Sequence, residues 1–179
     1  MRATEFPVVA GIENLPGPSA AVIDLLNAWK AARRGRLVPL KRDFDPLAVF
    51  PLLPDLWIYH YERKENVFRC RLAGERINAA WGRSIAGKTS REIFGAPDDG
   101  IIVTIWKKIL ETPLVHYGRL ERLSGTRLYT AERIVVPLAE ASGSPDYVLG
   151  LSLYSLGGSG DVKPPTIPEN AVHIHCRDL

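Results

Sequence analysis

The sequence predicts an α+β fold: one antiparallel sheet with helices covering one face, preceded by an amphipathic helix. Three observations carry this. Runs rich in aromatic and branched residues occur as a hairpin around residue 60 and again as three successive segments after residue 114. A strongly helical pattern separates the two groups. The regular strand–helix–strand alternation that a parallel sheet needs is missing.

Each element follows from local chemistry. Residues 1–18 hold three prolines and no period, and read as an irregular arm. Ser19 is an N-cap candidate, and Val22, Leu25, Leu26 and Trp29 recur at i, i+3, i+4 and i+7. That spacing predicts an amphipathic helix ending near Arg34-Gly35. A second short helix opens at Asp45-Pro46 and is stopped by Pro51 and Pro54, so residues 19–52 form a helical extension. LWIYHYER and NVFRCRLAG, turning through RKEN, give a β-hairpin in which Phe68, Cys70 and Leu72 alternate with Arg69 and Arg71.

ERINAAWG then reads as a two-turn helix, and SREIF as a short helical piece closed by Gly95 and Pro97. Asp98-Asp99 open the clearest helix, with Ile101, Ile102, Ile105, Trp106, Ile109 and Leu110 in one stripe and Pro113 at its end. LVHYGRLERL, TRLYTAERIVVPL and YVLGLSLYSL supply three strands. From 157 the composition loosens to GGSGDVKPPTIPEN, and residues 157–179 read as a flexible tail ending in AVHIHCRDL.

Composition narrows the function classes. The 179 residues are 46% hydrophobic and 24% charged, as in a soluble globule with one core. A net charge of +3 is too small to imply a nucleic-acid partner unless it clusters. The basic cluster Lys30, Arg33, Arg34, Arg36, Lys41 and Arg42 sits where a helix C-terminus favours cations anyway. Few aromatic residues accompany it, which argues against nucleic acid. No apolar run approaches the roughly 18 residues that cross a bilayer, so no membrane insertion is expected. The N-terminus makes a poor signal peptide, and Cys70 and Cys176 suggest no disulfide framework. A cytoplasmic location is expected.

Gly82–Thr89 reads GRSIAGKT and fits the phosphate-cradling pattern G-x-x-x-x-G-K-[ST]. Its setting does not. Such a loop leaves a buried strand and enters a long helix, whereas here a helical pattern leads in and Gly95-Ala96-Pro97 follows seven residues after Lys88. The segment is expected to be an inter-helix turn, and the match false.

The order of elements, with this peptide between the second strand and the long helix, resembles a PAS domain over residues 53–156. The residues that carry it are LLPDLWIYHYER, FRCRLAGERI, WGRSIAGKTSREIF, the long helix and RIVVPLAEASGSPDYVLGLSLYSL. The chain is similar to small stand-alone bacterial PAS proteins of unassigned activity. The resemblance implies a five-stranded antiparallel sheet, a sensor or protein-interaction role in signal transduction, and dimerisation through the N-terminal helix. Val22, Leu25, Leu26 and Trp29 are the interface candidates, packing either across their own sheet or against a partner. RINAAWG lacks the cysteine of flavin photosensors and IIVTIWKKILE lacks the histidine of haem-binding members. Neither covalent flavin nor haem chemistry is therefore supported, and the cofactor is left unassigned.

Strand alternation nominates Ile58, His60, Cys70, Leu72, His116, Ile134 and Ser152, with Trp81 and Trp106 from the helices, as lining of a pocket between sheet and helices. Tyr117, Tyr129 and Tyr154 would add polar handles. His60 and Cys70 could form a base–nucleophile pair, but Cys70 has the pattern of a core thiol. His173, His175 and Cys176 form an H-x-H-C group. A closed metal site needs two more ligands, with Glu169 and Asp178 nearest in sequence, so a solvated or edge-strand segment is expected instead. No catalytic residue and no metal are assigned. The expected function is a non-enzymatic PAS sensor or interaction module acting on a protein partner or homodimer. The alternative is a small-molecule binder or enzyme using the inner pocket.

Overall fold

The computed structural model describes residues 5–124, 127–155, 164 and 170–179, except the side chains of Arg122, Ser124 and Arg127. Helix α1 (Ala20–Ala32) is followed by a 3-10 segment over Pro46–Asp55 that leads into β1 (Leu56–Glu62) and β2 (Val67–Ala73). The helices α2 (Glu75–Ala80), α3 (Ser90–Phe94) and α4 (Asp98–Glu111) come next. Strands β3 (Leu114–Ser124), β4 (Arg127–Ala139), β5 (Pro145–Ser155) and β6 (Asn170–His175) complete the sheet. Its order is β2-β1-β5-β4-β3-β6, with every neighbouring pair antiparallel.

The sheet is α+β in character as expected, but it has six strands, not five. The extra strand comes from the segment read as a flexible tail. Residues 170–175 pair with β3 from Leu114↔His175 to Arg119↔Asn170, so this part of the tail is an ordered edge. Alternation explains it: Ala171, His173 and Ile174 find buried positions on a sheet that would otherwise end at β3. Most of the expected linker, 157–163 and 165–169, lies outside the described residues. The N-terminal arm is likewise tied down, because Val8 bridges His173 in parallel.

The pleat turns alternate residues to opposite faces, and both faces are buried. On one, Trp57, Tyr59, Tyr61, Phe68, Cys70, Val135 and Val148 meet Ile77, Phe94, Ile102, Trp106 and Ile109 of α2–α4. On the other, Leu56, Val115, Ile134, Val136, Leu138, Leu149, Leu151 and Ile174 meet α1. Val22, Leu25, Leu26 and Trp29 are all 0% exposed there, so the apolar stripe of α1 is spent on its own sheet. Of the two packings expected for these four residues, the one across their own sheet is found, and they offer no exposed surface to a partner. Trp29 Nε1 also donates to Pro137 O at 2.8 Å, satisfying its one polar atom inside that core.

Local rules held in most places and failed in two. Thr89 caps α3 with a full capping box to Glu92. Ser19 stands at the N-cap of α1 without a side-chain cap bond; its N–H instead donates to Glu132 Oε1 at 2.9 Å. The short helix expected to stop at Pro51 runs on as 3-10 turns to Asp55, kinked at Val49, because tighter turns tolerate prolines that an α-helix does not.

Candidate functional site

The space between the sheet and α2–α4 is where this architecture could hold a ligand. Aromatic rings fill it. Trp57 on β1 stacks on Trp106 of α4 with centroids 5.1 Å apart and planes 29° apart. Tyr59 lies 4.9 Å from Trp106, and Phe68 and Phe94 meet it edge-on at 5.2 and 5.9 Å. Trp81, just past α2, closes on Phe94 at 5.5 Å. What remains among Trp57, Tyr59, Ile77, Trp81, Arg133 and Tyr154 is a space of about 10 Å³, room for about one water.

A polar network runs along the sheet side of this space. Trp57 Nε1 and Arg133 Nε donate to Ser152 Oγ at 2.9 and 3.0 Å, and an Arg133 Nη donates to Tyr154 OH at 2.9 Å. Arg133 is only 6% exposed, so its hydrogen bonds matter to the core. Burial pushes the Cys70 thiol up to about 11 and, with Cys70 beside it, raises the Tyr59 hydroxyl well above its ordinary value. Both groups therefore stay protonated at neutral pH, and Cys70 has the environment of a core thiol.

Register decides which predicted pocket residues arrive here. Cys70, Trp81, Trp106, His116 and Ser152 lie on the helix-covered side: His116 pairs with Val135, and Ser152 bonds Trp57. Ile58, His60, Leu72 and Ile134 do not. Ile58 and Ile134 join the α1 core, and His60 stacks on Tyr147 at 4.6 Å. Leu72, opposite Ile58, is 43% exposed. A bulge causes part of the error. The register steps from Ile58↔Leu72 to Tyr59↔Cys70, leaving Arg71 unmatched, so Cys70 and Leu72 fall on opposite faces despite their i, i+2 spacing.

Sequence reasoning missed Trp57, Tyr59 and Arg133. The alternation Trp57, Tyr59, Tyr61 carried the signal for the first two; nothing in the chain marks Arg133. Of the proposed polar handles, Tyr154 reaches the site and Tyr117 turns to the other face, bonding Glu132. Tyr129 is buried further along β4, opposite Arg122.

The bulge and pleat also break up the other constellations. His60 and Cys70 lie on opposite faces, so no base meets the thiol. His173 is buried beside His116, whereas Cys176 belongs to the α1 core. Among the described residues no group of three or more His, Cys, Asp or Glu side chains could hold a metal. GRSIAGKT joins α2 to α3 and lies along the β2 edge. Six of its main-chain N–H groups are committed inside the protein: Gly82 to Ala79 O, Arg83 to Asn78 O, Ile85 to Asn78 Oδ1, Gly87 to Cys70 O, Lys88 to Ile85 O and Thr89 to Glu92.

An antiparallel sheet enclosing a short helical insert, with a core between them, defines an α+β domain of one sheet with helices on both faces. The family model described as "PAS domain" matches residues 18–153, and the chain belongs to that family. The family is one of sensory and signalling modules. No curated protein matches. Among solved structures, the chain is similar to a Rhodobacter sphaeroides LOV protein at 18% identity and TM-score 0.41, over 60% of this chain. It spans 62% of that protein's chain. It is also similar to the light-state dimer of the fungal blue-light photoreceptor Vivid, at 17% identity and TM-score 0.43, over 80% of this chain and 99% of that one. The PAS domain of Bordetella pertussis BvgS matches at 15% and 0.37, over 56% and 74%.

Proposed function

We propose that this protein is a non-enzymatic PAS module that signals through contact with a protein partner. The observation that supports it is the filled space between the sheet and α2–α4. Small-molecule sites are typically about 300–1,000 Å³, and about 10 Å³ remains here. A flavin or haem ring does not fit while Trp57, Trp81 and Trp106 hold these positions. Ser152 Oγ accepts from both Trp57 and Arg133, and Arg133 also donates to Tyr154, so the polar atoms along this space are engaged with protein partners. Among the described residues no helix is long and apolar enough to cross a membrane. A bacterial cytoplasmic setting is part of the same reading.

Native mass spectrometry of protein purified from its own host tests this. The expected spectrum contains the bare polypeptide or a stoichiometric protein complex. A co-purifying small molecule that protects Trp57 or Trp106 from fluorescence quenching would overturn the reading in favour of a ligand-binding sensor. Such a ligand would have to displace Trp81, whose side chain is the least buried of the three tryptophans.

A further inference from the structure

His173 carries both the main-chain and the side-chain attachment of the N-terminal arm. Its N–H donates to Pro7 O at 2.9 Å, and its carbonyl accepts from Val9 N at 2.8 Å. Residues 7–9 thus form a short parallel rung on the open edge of β6. The imidazole of His173 meets that of His116 on β3, at a paired position of the two strands, with Nε2 and Nδ1 2.9 Å apart. Phe6 of the arm covers both rings edge-on, its centroid 5.1 Å from one and 5.2 Å from the other. His116 is 2% exposed and His173 0%, and His173 Nδ1 is buried without a hydrogen-bond partner.

Neutral rings are favoured here, because both imidazoles are buried and the charged groups acting on them are cations. The short nitrogen–nitrogen contact requires one ring to donate and the other to accept, so a second proton at the contact would set two N–H groups against each other. The neighbouring charged groups do not help. Arg133 of β4 acts on His116, and Lys108 of α4 and His175 of β6 act on His173, all cations or bases. The arm's own carboxylate, Glu5, is exposed. Burial holds His116 well below the ordinary imidazole value and brings His173 down to about 4, with the cationic neighbours adding to it.

We propose that the His116–His173 pair is an acid-sensitive latch: neutral, it holds the N-terminal arm on the β6 edge, and on protonation it releases the arm. The open form binds protons at about the ordinary imidazole value of 6.5. Below that pH, each histidine that gains water on opening lowers the closed-to-open ratio about tenfold per pH unit. Release frees the outer edge of β6, an edge that an extended segment can pair with.

Amide hydrogen exchange on the full chain, read by mass spectrometry between pH 7.5 and 5 and corrected for intrinsic rates, tests the latch. Peptides covering 5–10 and 170–176 are expected to lose protection about tenfold or more per pH unit below 6.5, ahead of those from β4 and β5. His173→Gln is expected to flatten that slope. Phe6→Ala, which leaves both histidines in place, is expected to loosen the arm already at pH 7.5. Protection that falls in parallel across the whole sheet would overturn the proposal. So would arm peptides indifferent to pH, or imidazoles titrating near 6.5 by NMR while the arm stays protected. Should His173→Gln fail to fold, the wild-type profile and Phe6→Ala decide the question.

Discussion

Glu132, in the middle of β4, reaches across the sheet surface to accept the main-chain N–H of Ser19 at the mouth of α1, 2.9 Å away. The same oxygen accepts the Tyr117 hydroxyl at 2.9 Å, and Arg119 stands 3.7 Å from it while donating to Gly17 O. A carboxylate thus sits at the positive end of the α1 dipole. At the other end, Trp29 is held by Pro137 O. Two polar contacts fix the direction and register of a helix that hydrophobic burial alone would leave free to slide.

Glu132→Ala is therefore expected to lower stability by about 1–3 kcal/mol, since it removes the acceptor of the half-buried Ser19 N–H and leaves the Tyr117 hydroxyl only its long bond to Pro16 O. Glu132→Gln keeps an acceptor and is expected to cost less. Urea unfolding followed by tryptophan fluorescence measures both. Equal midpoints for wild type and the alanine variant would remove Glu132 from any anchoring role.

Gly150 of β5 lies directly opposite Trp57, whose ring covers it. A Cβ at this position would lie 2.0 Å from the indole. Because that indole is held by Trp106 on its face and Ser152 at its nitrogen, it has nowhere to retreat. Gly150→Ala is expected to cost about 1–3 kcal/mol from overpacking and to change the near-UV circular dichroism of the tryptophan stack. A variant with unaltered near-UV signal and stability would mean that the stack is looser than its geometry implies.

Alkaline pH should weaken the face of the sheet that α1 covers. Burial, then the Glu132 carboxylate, pushes Tyr117 up to about 12. The folded protein therefore keeps a proton that the unfolded chain gives up near 10, so this contribution is full below pH 10 and lost as pH rises toward 12. Tyr147, pushed up to about 12 by burial and its bond to Glu140, acts in the same direction, and so does Tyr59 on the opposite, helix-covered face. Tyr117→Phe is expected to make the fall in stability between pH 10 and 12 shallower without abolishing it. An unchanged slope in that variant would refute the assignment.

The hairpin of β1 and β2, the stripe of α4 and the three later strands were legible because their periods of 2 and 3.6 survive in the chain. The helix stripe Val22–Trp29 was equally legible, but periodicity says only that a face is buried, not what covers it. Strand β6 was legible only as one of two options for the His173–Cys176 segment, solvated or edge strand, because six residues after a Gly/Pro-rich stretch carry little local signal; their pairing with β3 is a property of the whole sheet. The pocket set failed at β1 by one residue, which turned Ile58 and His60 to the wrong side and hid Trp57 and Tyr59. At β2 the bulge beside Arg71 broke the alternation that the spacing of Cys70 and Leu72 implied.

GRSIAGKT had the letters of a nucleotide loop, and the structure gives a physical reason why letters do not suffice. A phosphate cradle needs free N–H groups converging on one point. Here the Gly87 N–H and the Lys88 carbonyl close two hydrogen bonds with Cys70, both 2.9 Å long, which seals the β2 edge. The Ile85 side chain, 1% exposed, plugs the core from the same loop. Lys88 contributes its backbone to this arrangement. Its ammonium is therefore dispensable, and Lys88→Ala is expected to leave stability within about 0.5 kcal/mol of wild type. ATP and GTP titrations followed by calorimetry are expected to be silent for both proteins. Nucleotide binding present in the wild type and lost in Lys88→Ala would require the loop to leave the β2 edge and would restore the nucleotide-binding alternative.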